Sequence, residues 1–208
     1  MIQIEKTEVF GWEAAIRGMR NPMNSWDKSD SLFWPGHMQI GEKDIDLMKR
    51  LVKSGADHSK FMRFIIVTCD ITAPLYWWKE YETYKVGTVS NSCSTMHKIH
   101  SKAFELDDFS HDHLTPESEA YMQTIVDHLE TIRLKYVETK DKAYWYDMIQ
   151  LLPSSYNQMR TCTLNYETLI NIYFARKNHK LDEWHTFCDW IRTLPYAKEL
   201  ILAEEEEA

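Results

Sequence analysis

The sequence predicts an α+β fold, a single domain over residues 1–203 followed by an acidic tail, 204–208. Three stretches carry that expectation. Phe64-Ile65-Ile66-Val67, within Phe61 to Ile71, is β-branched and aromatic, as a packed strand requires. Thr115-Pro116-Glu117-Ser118-Glu119 reads as a helix start, with Thr at the cap, Pro at the first helical position and acids in the first turn. Leu164 to Arg176 is apolar on nearly every side, the pattern of a buried helix. The chain shows no internal repeat and no Gly- or Pro-rich linker, so one domain is the simplest organisation for its 208 residues.

The elements follow in order. Ile2, Ile4, Val9 and Phe10 alternate enough for a short strand over 2–10. Trp12 to Met19 reads as a helix ending near Arg20-Asn21-Pro22. Met23 to Gly41 is expected to be an ordered loop pinned by Trp26, Phe33 and Trp34. Lys43 to Ser54 has Ile45, Leu47, Met48, Leu51 and Val52 at helical spacing and Gly55 as its stop. The strand over Phe61–Ile71 leads to Pro74 and a helix from Leu75 to about Lys85, and Val86 to Ser94 is a turn with a short extended piece. Helices are expected from Thr115 to about Val137, from Lys142 to Leu151, from Leu164 to Arg176 and from Asp182 onward, with Pro195 as a break. In the Leu164–Arg176 helix, Asn165 and Arg176 would share one face about three turns, ~16 Å, apart. In the helix from Leu75, Trp77, Trp78 and Tyr81 are spaced to pack into a core or subunit interface, in preference to stacking on a flavin.

Composition narrows the function. The formal charge is −8, and Glu204 to Glu207 account for half of it, so the body is mildly acidic. That argues against a nucleic-acid polymer as partner, though not against a single nucleotide in a local basic pocket. No apolar run approaches the ~20 residues of a membrane span, so no membrane partner is expected. Four well-separated cysteines and no signal-peptide pattern suggest a reducing, cytoplasmic setting. The pairs His97/His100 and His111/His113 lack the acidic partners of a metalloenzyme motif, so no metal is expected. No Gly-rich phosphate loop exists, and Ser92, Cys93 and Ser94 near His97 match no nucleophile triad.

The order of pieces is more telling. A helix ending in Lys53-Ser54-Gly55 is followed by His58-Ser59-Lys60-Phe61, then the strand, then Thr72-Ala73-Pro74 and a helix carrying Lys79, Glu80, Thr83, Tyr84 and Lys85. Asn91-Ser92-Cys93-Ser94-Thr95-Met96-His97 comes next, and far downstream stand Leu152-Pro153, Asn165, Asn171 and Arg176. This series resembles the flavin-dependent thymidylate synthase family, over about residues 43–100 and 145–195. The resemblance implies a mixed sheet flanked by helices with a helical bundle, and a homotetramer.

The signature departs from the family's at several points. Where the family has Arg-His-Arg, this chain has Thr83-Tyr84-Lys85; its Asn-Glu-x-Ser-x-Arg-Tyr becomes Asn91 to His97, with Met96 in place of that motif's arginine. A helix Gln becomes Glu80, and an Arg two residues after the first Asn becomes Glu167. Those arginines grip phosphates in the family, and their loss removes bidentate clamps. Lys79, Lys85, Arg63, Arg17 and Arg20 are the cations that remain to compensate. By resemblance, Arg63, Thr83, Tyr84, Lys85, Asn91, Asn165 and Asn171 would meet FAD, while Lys79, Glu80, Ser94 and Arg176 would meet a pyrimidine nucleotide. Arg176 would favour electron density building on the uracil ring. The implied reaction moves a methylene from methylenetetrahydrofolate to C5 of dUMP and reduces it with flavin and a nicotinamide donor. A different pyrimidine nucleotide as substrate, and a non-catalytic nucleotide-binding or interaction protein, are the alternatives. The asparagines equally suit helix capping or core hydrogen bonds, and Arg176 an ion pair to Asp182 or Glu183.

Overall fold

The computed structural model describes residues 2–203, so the expected tail, 204–208, lies outside the described residues. Six strands and eight α-helices are found among them. Strands β1 (Gln3–Phe10), β4 (Ile66–Pro74), β6 (Asn157–Asn165) and β5 (Val89–Ser92) form a sheet in the order β1-β4-β6-β5, and β2 (Leu32–Trp34) pairs antiparallel with β3 (His37–Gln39). The α+β class expected from the sequence is the class found. By its contacts the chain divides into two compact units.

The first unit comprises residues 2–3, Asp70–Thr83 and Ser90–Thr161. Its core lies under the hairpin of α4 (Pro116–Thr139) and α5 (Lys142–Leu151). Met122, Val126, Leu129 and Ile132 recur every three or four residues along α4, the spacing of one helix face, and pack with Met148, Ile99, Phe104 and Phe109. Thr115 accepts the N–H of Ser118 and Asp141 that of Ala143, so both helices start on side-chain caps. Helix α3 (Leu75–Tyr81) buries Trp77, Trp78 and Tyr81, as their spacing predicted. It stops four residues short of the expected end, because the Thr83 hydroxyl takes the Glu80 carbonyl at 2.7 Å and turns the chain away.

The second unit holds Ile4–Cys69, Tyr84–Val89 and residues 162–203. Helices α1 (Trp12–Arg20), α2 (Glu42–Lys53), α6 (Tyr166–Arg176) and α7 (Asp182–Arg192) enclose Trp12, Met48, Met62, Tyr166, Tyr173, Trp184 and Phe187, all buried. The expected strand over Phe61–Ile71 begins only at Ile66, and Lys60–Phe64 is a 3-10 turn. The reason is packing: Phe61 and Met62 are adjacent and both buried, which a strand's alternation forbids and a tight turn allows. From Val67 the alternation is regular, with Val67, Cys69, Ile71 and Ala73 inward.

The larger correction concerns the expected helix from Leu164. Asn157–Asn165 is strand β6, and the helix starts at Tyr166. Asn165 has extended backbone, φ −116° and ψ 165°, so it is not on a helical face with Arg176. Asn171 and Ala175 are exposed, which makes α6 one-sided instead of buried all round. The loop expected to hang on aromatics is pinned by charge instead, with Trp26 and Trp34 about half exposed. Asp44 receives the Ser29 and Ser31 hydroxyls at 2.7 Å each, the amides of Asp30 and Ser31, and Nε of Arg20 at 2.7 Å. Hydrogen bonds to an ionised carboxylate are stronger than neutral ones, so this network dominates the loop.

Candidate functional site

In the second unit the sequence-singled residues Tyr84 and Arg176 are brought together. Arg176 stands at the last position of α6, and its Nε donates to the Tyr84 hydroxyl at 2.8 Å. Its guanidinium carbon lies 4.7 Å from the ring centre of Trp184 and 5.5 Å from that of Tyr84. The two rings meet edge to face, with centres 6.1 Å apart. A cation over two ring faces is held by their quadrupoles, and the delocalised guanidinium suits this because it is weakly hydrated. Trp184, on α7, is the cage member that the sequence did not announce; an Arg ending one helix and a Trp in the first turn of the next is its only signal.

The other end of α6 is also fixed. Asn165 caps the helix, its Oδ1 accepting the Thr168 N–H at 2.9 Å, and the Thr168 hydroxyl lies 3.0 Å from the Val86 carbonyl. Gly87 follows with φ +75°, and a Cβ there would stand 2.4 Å from Asn165 Nδ2. Only glycine meets both demands, so the segment carrying Tyr84 is laid closely over the start of α6. Of the two roles open to Asn165, the capping one is what the structure displays. Asn171 is exposed in the middle of the helix, and Lys85 is exposed.

Arg63 does not join this cluster. It pairs with Glu167 at 2.6 Å, and that carboxylate holds its basicity above the ordinary arginine value. Glu167 Oε1 is buried and takes no hydrogen bond among the described residues. Arg20 is committed to Asp44, at 2.6 Å through Nη2, and is buried. Of the cations considered as replacements in this unit, Arg17 and Lys85 keep exposed side chains.

In the first unit Lys79 is exposed, and Glu80 is half-buried with its carbonyl taken by Thr83. Asn91 is exposed on β5, while Ser94 Oγ accepts the amides of Met96 and His97 at 3.2 and 3.0 Å, turning the chain after that strand. Ser94 borders a cleft of 290 Å³ whose polar walls include Lys98, Lys102, Tyr156 and Asn157. Lys102 binds Asp108 at 2.7 Å, and burial raises the Tyr156 phenol above its ordinary value, helped by the nearby Asp108. Beside the cleft runs a network that the sequence did not suggest. Arg160 stacks 4.3 Å over Trp78, donates to Gln158 at 3.0 Å and pairs with Glu82 at 2.7 Å; Gln158 in turn donates to the Cys93 carbonyl. Arg160 escaped notice because β6 itself did. Among the described residues no group of three or more His, Cys, Asp or Glu is placed to hold a metal ion, and no helix is long and apolar enough to cross a membrane.

Comparison with protein families and with curated proteins finds no match to this sequence. Comparison of structures does. The flavin-dependent thymidylate synthase of Helicobacter pylori complexed with FAD and dUMP superposes with a TM-score of 0.74 at 18% identity, over 96% of this chain and 97% of that one. A second structure of that organism's thymidylate synthase X with FAD and dUMP gives 0.73 at 17%, over 96% and 97%. A UMP/dUMP methylase of Streptomyces cacaoi bound with 5-Br dUMP gives 0.65 at 14%, over 98% and 95%. The chain therefore has the fold of the flavin-dependent thymidylate synthases, as the order of its motifs implied. At such identities the likeness is one of fold.

Proposed function

We propose that this protein binds FAD and a pyrimidine nucleotide and carries out a flavin-dependent methylation of the thymidylate synthase type, with dUMP as the first substrate to test. The observation that supports this most is the shared fold over 96% of the chain with proteins solved with FAD and dUMP. In this reading Arg176 is the catalytic cation at the base, presented by its aromatic cage. Ser94 and the exposed Lys79 in the first unit would serve the nucleotide. For the flavin, the fit is narrower than the resemblance implied. Thr83, Tyr84, Asn165 and Arg63 already bond within the chain, which leaves the exposed Lys85 and Asn171 in the second unit and Asn91 in the first. A bound flavin would supply the hydride that reduces the transferred methylene; methylenetetrahydrofolate and a nicotinamide donor would complete the reaction. A homotetramer in the cytoplasm is the corresponding assembly and setting.

A second reading, an enzyme for a different pyrimidine nucleotide, is favoured by one feature. Glu167 stands where an arginine is expected and neutralises Arg63, so anion binding near the start of α6 is weakened. Purified protein should be yellow, yield FAD by mass analysis, and release heat on titration with dUMP. UMP binding more tightly than dUMP would shift the assignment to the second reading. A colourless protein that takes up no added flavin would overturn the enzymatic reading and leave a nucleotide-binding or interaction protein on this scaffold.

A further inference from the structure

We infer that the 290 Å³ cleft of the first unit takes a phosphate monoester, anchored by Lys98 and Tyr156; this deepens the nucleotide reading above and rests on it. Neither residue is among those already placed at the nucleotide. Both line the cleft, together with Ser94, Lys102, Asp108 and Asn157. Its two lysines are not equivalent. Lys102 binds Asp108 Oδ1 at 2.7 Å, and Asp108 Oδ2 takes the Glu105 amide at 3.0 Å, so that ammonium and that carboxylate offset each other. Lys98 is exposed and makes no ion pair among the described residues, so its charge is left over. Its backbone is fixed: the amide bonds to the Ser94 carbonyl at 3.3 Å, and the carbonyl takes the Ser101 hydroxyl at 2.7 Å. The remaining polar walls present donors. Ser94 Oγ already accepts two amides, which leaves its hydroxyl to donate. Asn157 Oδ1 accepts the Ser110 hydroxyl at 2.8 Å, which leaves the side-chain NH₂. The Tyr156 hydroxyl has no hydrogen bond among the described residues. Burial, then the Asp108 carboxylate, push its pKa up, so it stays an O–H donor at neutral pH. Its ring is held edge to face on Phe109, centres 5.6 Å apart, and its carbonyl takes the Leu75 amide at 3.0 Å. A partly buried donor without an acceptor, beside an unbalanced ammonium, is completed by an anion rich in acceptors. A phosphate supplies both the charge and the acceptors, whereas a base or a sugar brings no charge. Ligand clefts run to roughly 300–1,000 Å³, so this one suits the end of a mononucleotide and not a whole dinucleotide.

Calorimetric titration of the full chain with dUMP, deoxyuridine and inorganic phosphate tests this. Lys98→Gln should weaken dUMP and inorganic phosphate about tenfold, the scale of a lost hydrogen bond to a charged group, and leave deoxyuridine where it was. Lys98→Arg, which keeps the charge, should recover most of that loss. Tyr156→Phe keeps both the ring and the net charge, so a fall of about fivefold in dUMP affinity reports the hydroxyl alone. That hydroxyl bonds to nothing within the chain, so melting of Tyr156→Phe should stay within about two degrees of wild type. An unchanged dUMP affinity in Lys98→Gln, or equal losses for dUMP and deoxyuridine, would overturn the inference. So would a Tyr156→Phe protein that melts far below wild type and binds dUMP as well. Phosphate bound by wild type and lost in Lys98→Gln, with no dUMP bound by either, would uphold the anion cleft and fail the nucleotide reading. Binding of dUMP untouched by both substitutions would do the reverse, and a wild type that binds neither ligand would overturn both.

Discussion

Arg20 and Arg176 end different helices of the same unit and lead opposite lives. Arg20 is 5% exposed and faces a carboxylate that is fully buried, with two serine hydroxyls and two amides completing the ring of donors. Arg176 is only half-buried and rests on a phenol and two ring faces. Neutralising a charge with a buried carboxylate knits three segments together but consumes the cation. Resting a guanidinium on a phenol and two ring faces keeps it partly exposed at the end of its helix. The first arrangement stabilises a fold; the second is the one we propose for a site.

The largest expected effect lies at the closed pair. Asp44→Ala would leave Arg20 as a buried cation without its carboxylate and should cost ~3–5 kcal/mol in urea unfolding. A loss below ~1 kcal/mol would show that the two arginines are not different in kind. The same carboxylate sets an acid limit. Burial pushes the Asp44 pKa up, but the hydrogen bonds from Ser29, Ser31 and Arg20 outweigh it and leave it below the ordinary value. A depressed folded value means that its contribution is complete above the unfolded pKa, about 3.9, and disappears as pH falls through the folded one. Stability should therefore decline below about pH 4, and Asp44→Asn should flatten that decline.

Gly87→Ala should come next, at ~1–3 kcal/mol, since it forces a left-handed backbone and a collision with Asn165. It should also loosen the segment that carries Tyr84. Arg176→Ala should cost about 1 kcal/mol at most, a melting change within a few degrees, while nucleotide binding is abolished. Destabilisation on the scale of Asp44→Ala, with no ligand bound by wild type, would class Arg176 with Arg20. The smallest effect is expected at Arg63, which is exposed. Arg63→Ala should leave the melting midpoint where it is, and any gain in phosphate affinity on Glu167→Gln would show that this ion pair suppresses an anion site.

Much of this was legible in the chain. Thr115-Pro116 and Gly55 marked real helix ends because caps are local, depending on the few residues around them. The Trp77-Trp78-Tyr81 stripe declared its burial by spacing. Strand β6 was missed because Asn157, Gln158, Arg160 and Thr161 put polar residues on both its faces and hide its alternation, and those residues bond to partners far along the chain. Gln158 serves Cys93, and Thr161 serves Asp70. That omission carried Asn165 into a helix it only caps.

The residues themselves determined the capped helix starts, the class of fold and the order of motifs that led to similar structures. Whether a given polar side chain is bound within the chain or turned outward was decided only by tertiary structure. Arg20 and Arg176 each end a helix in a sequence rich in aromatics and acids, and nothing local distinguishes them. Asp44 lies 24 positions from the first and Tyr84 lies 92 from the second, and folding alone brought a carboxylate to one and a phenol to the other.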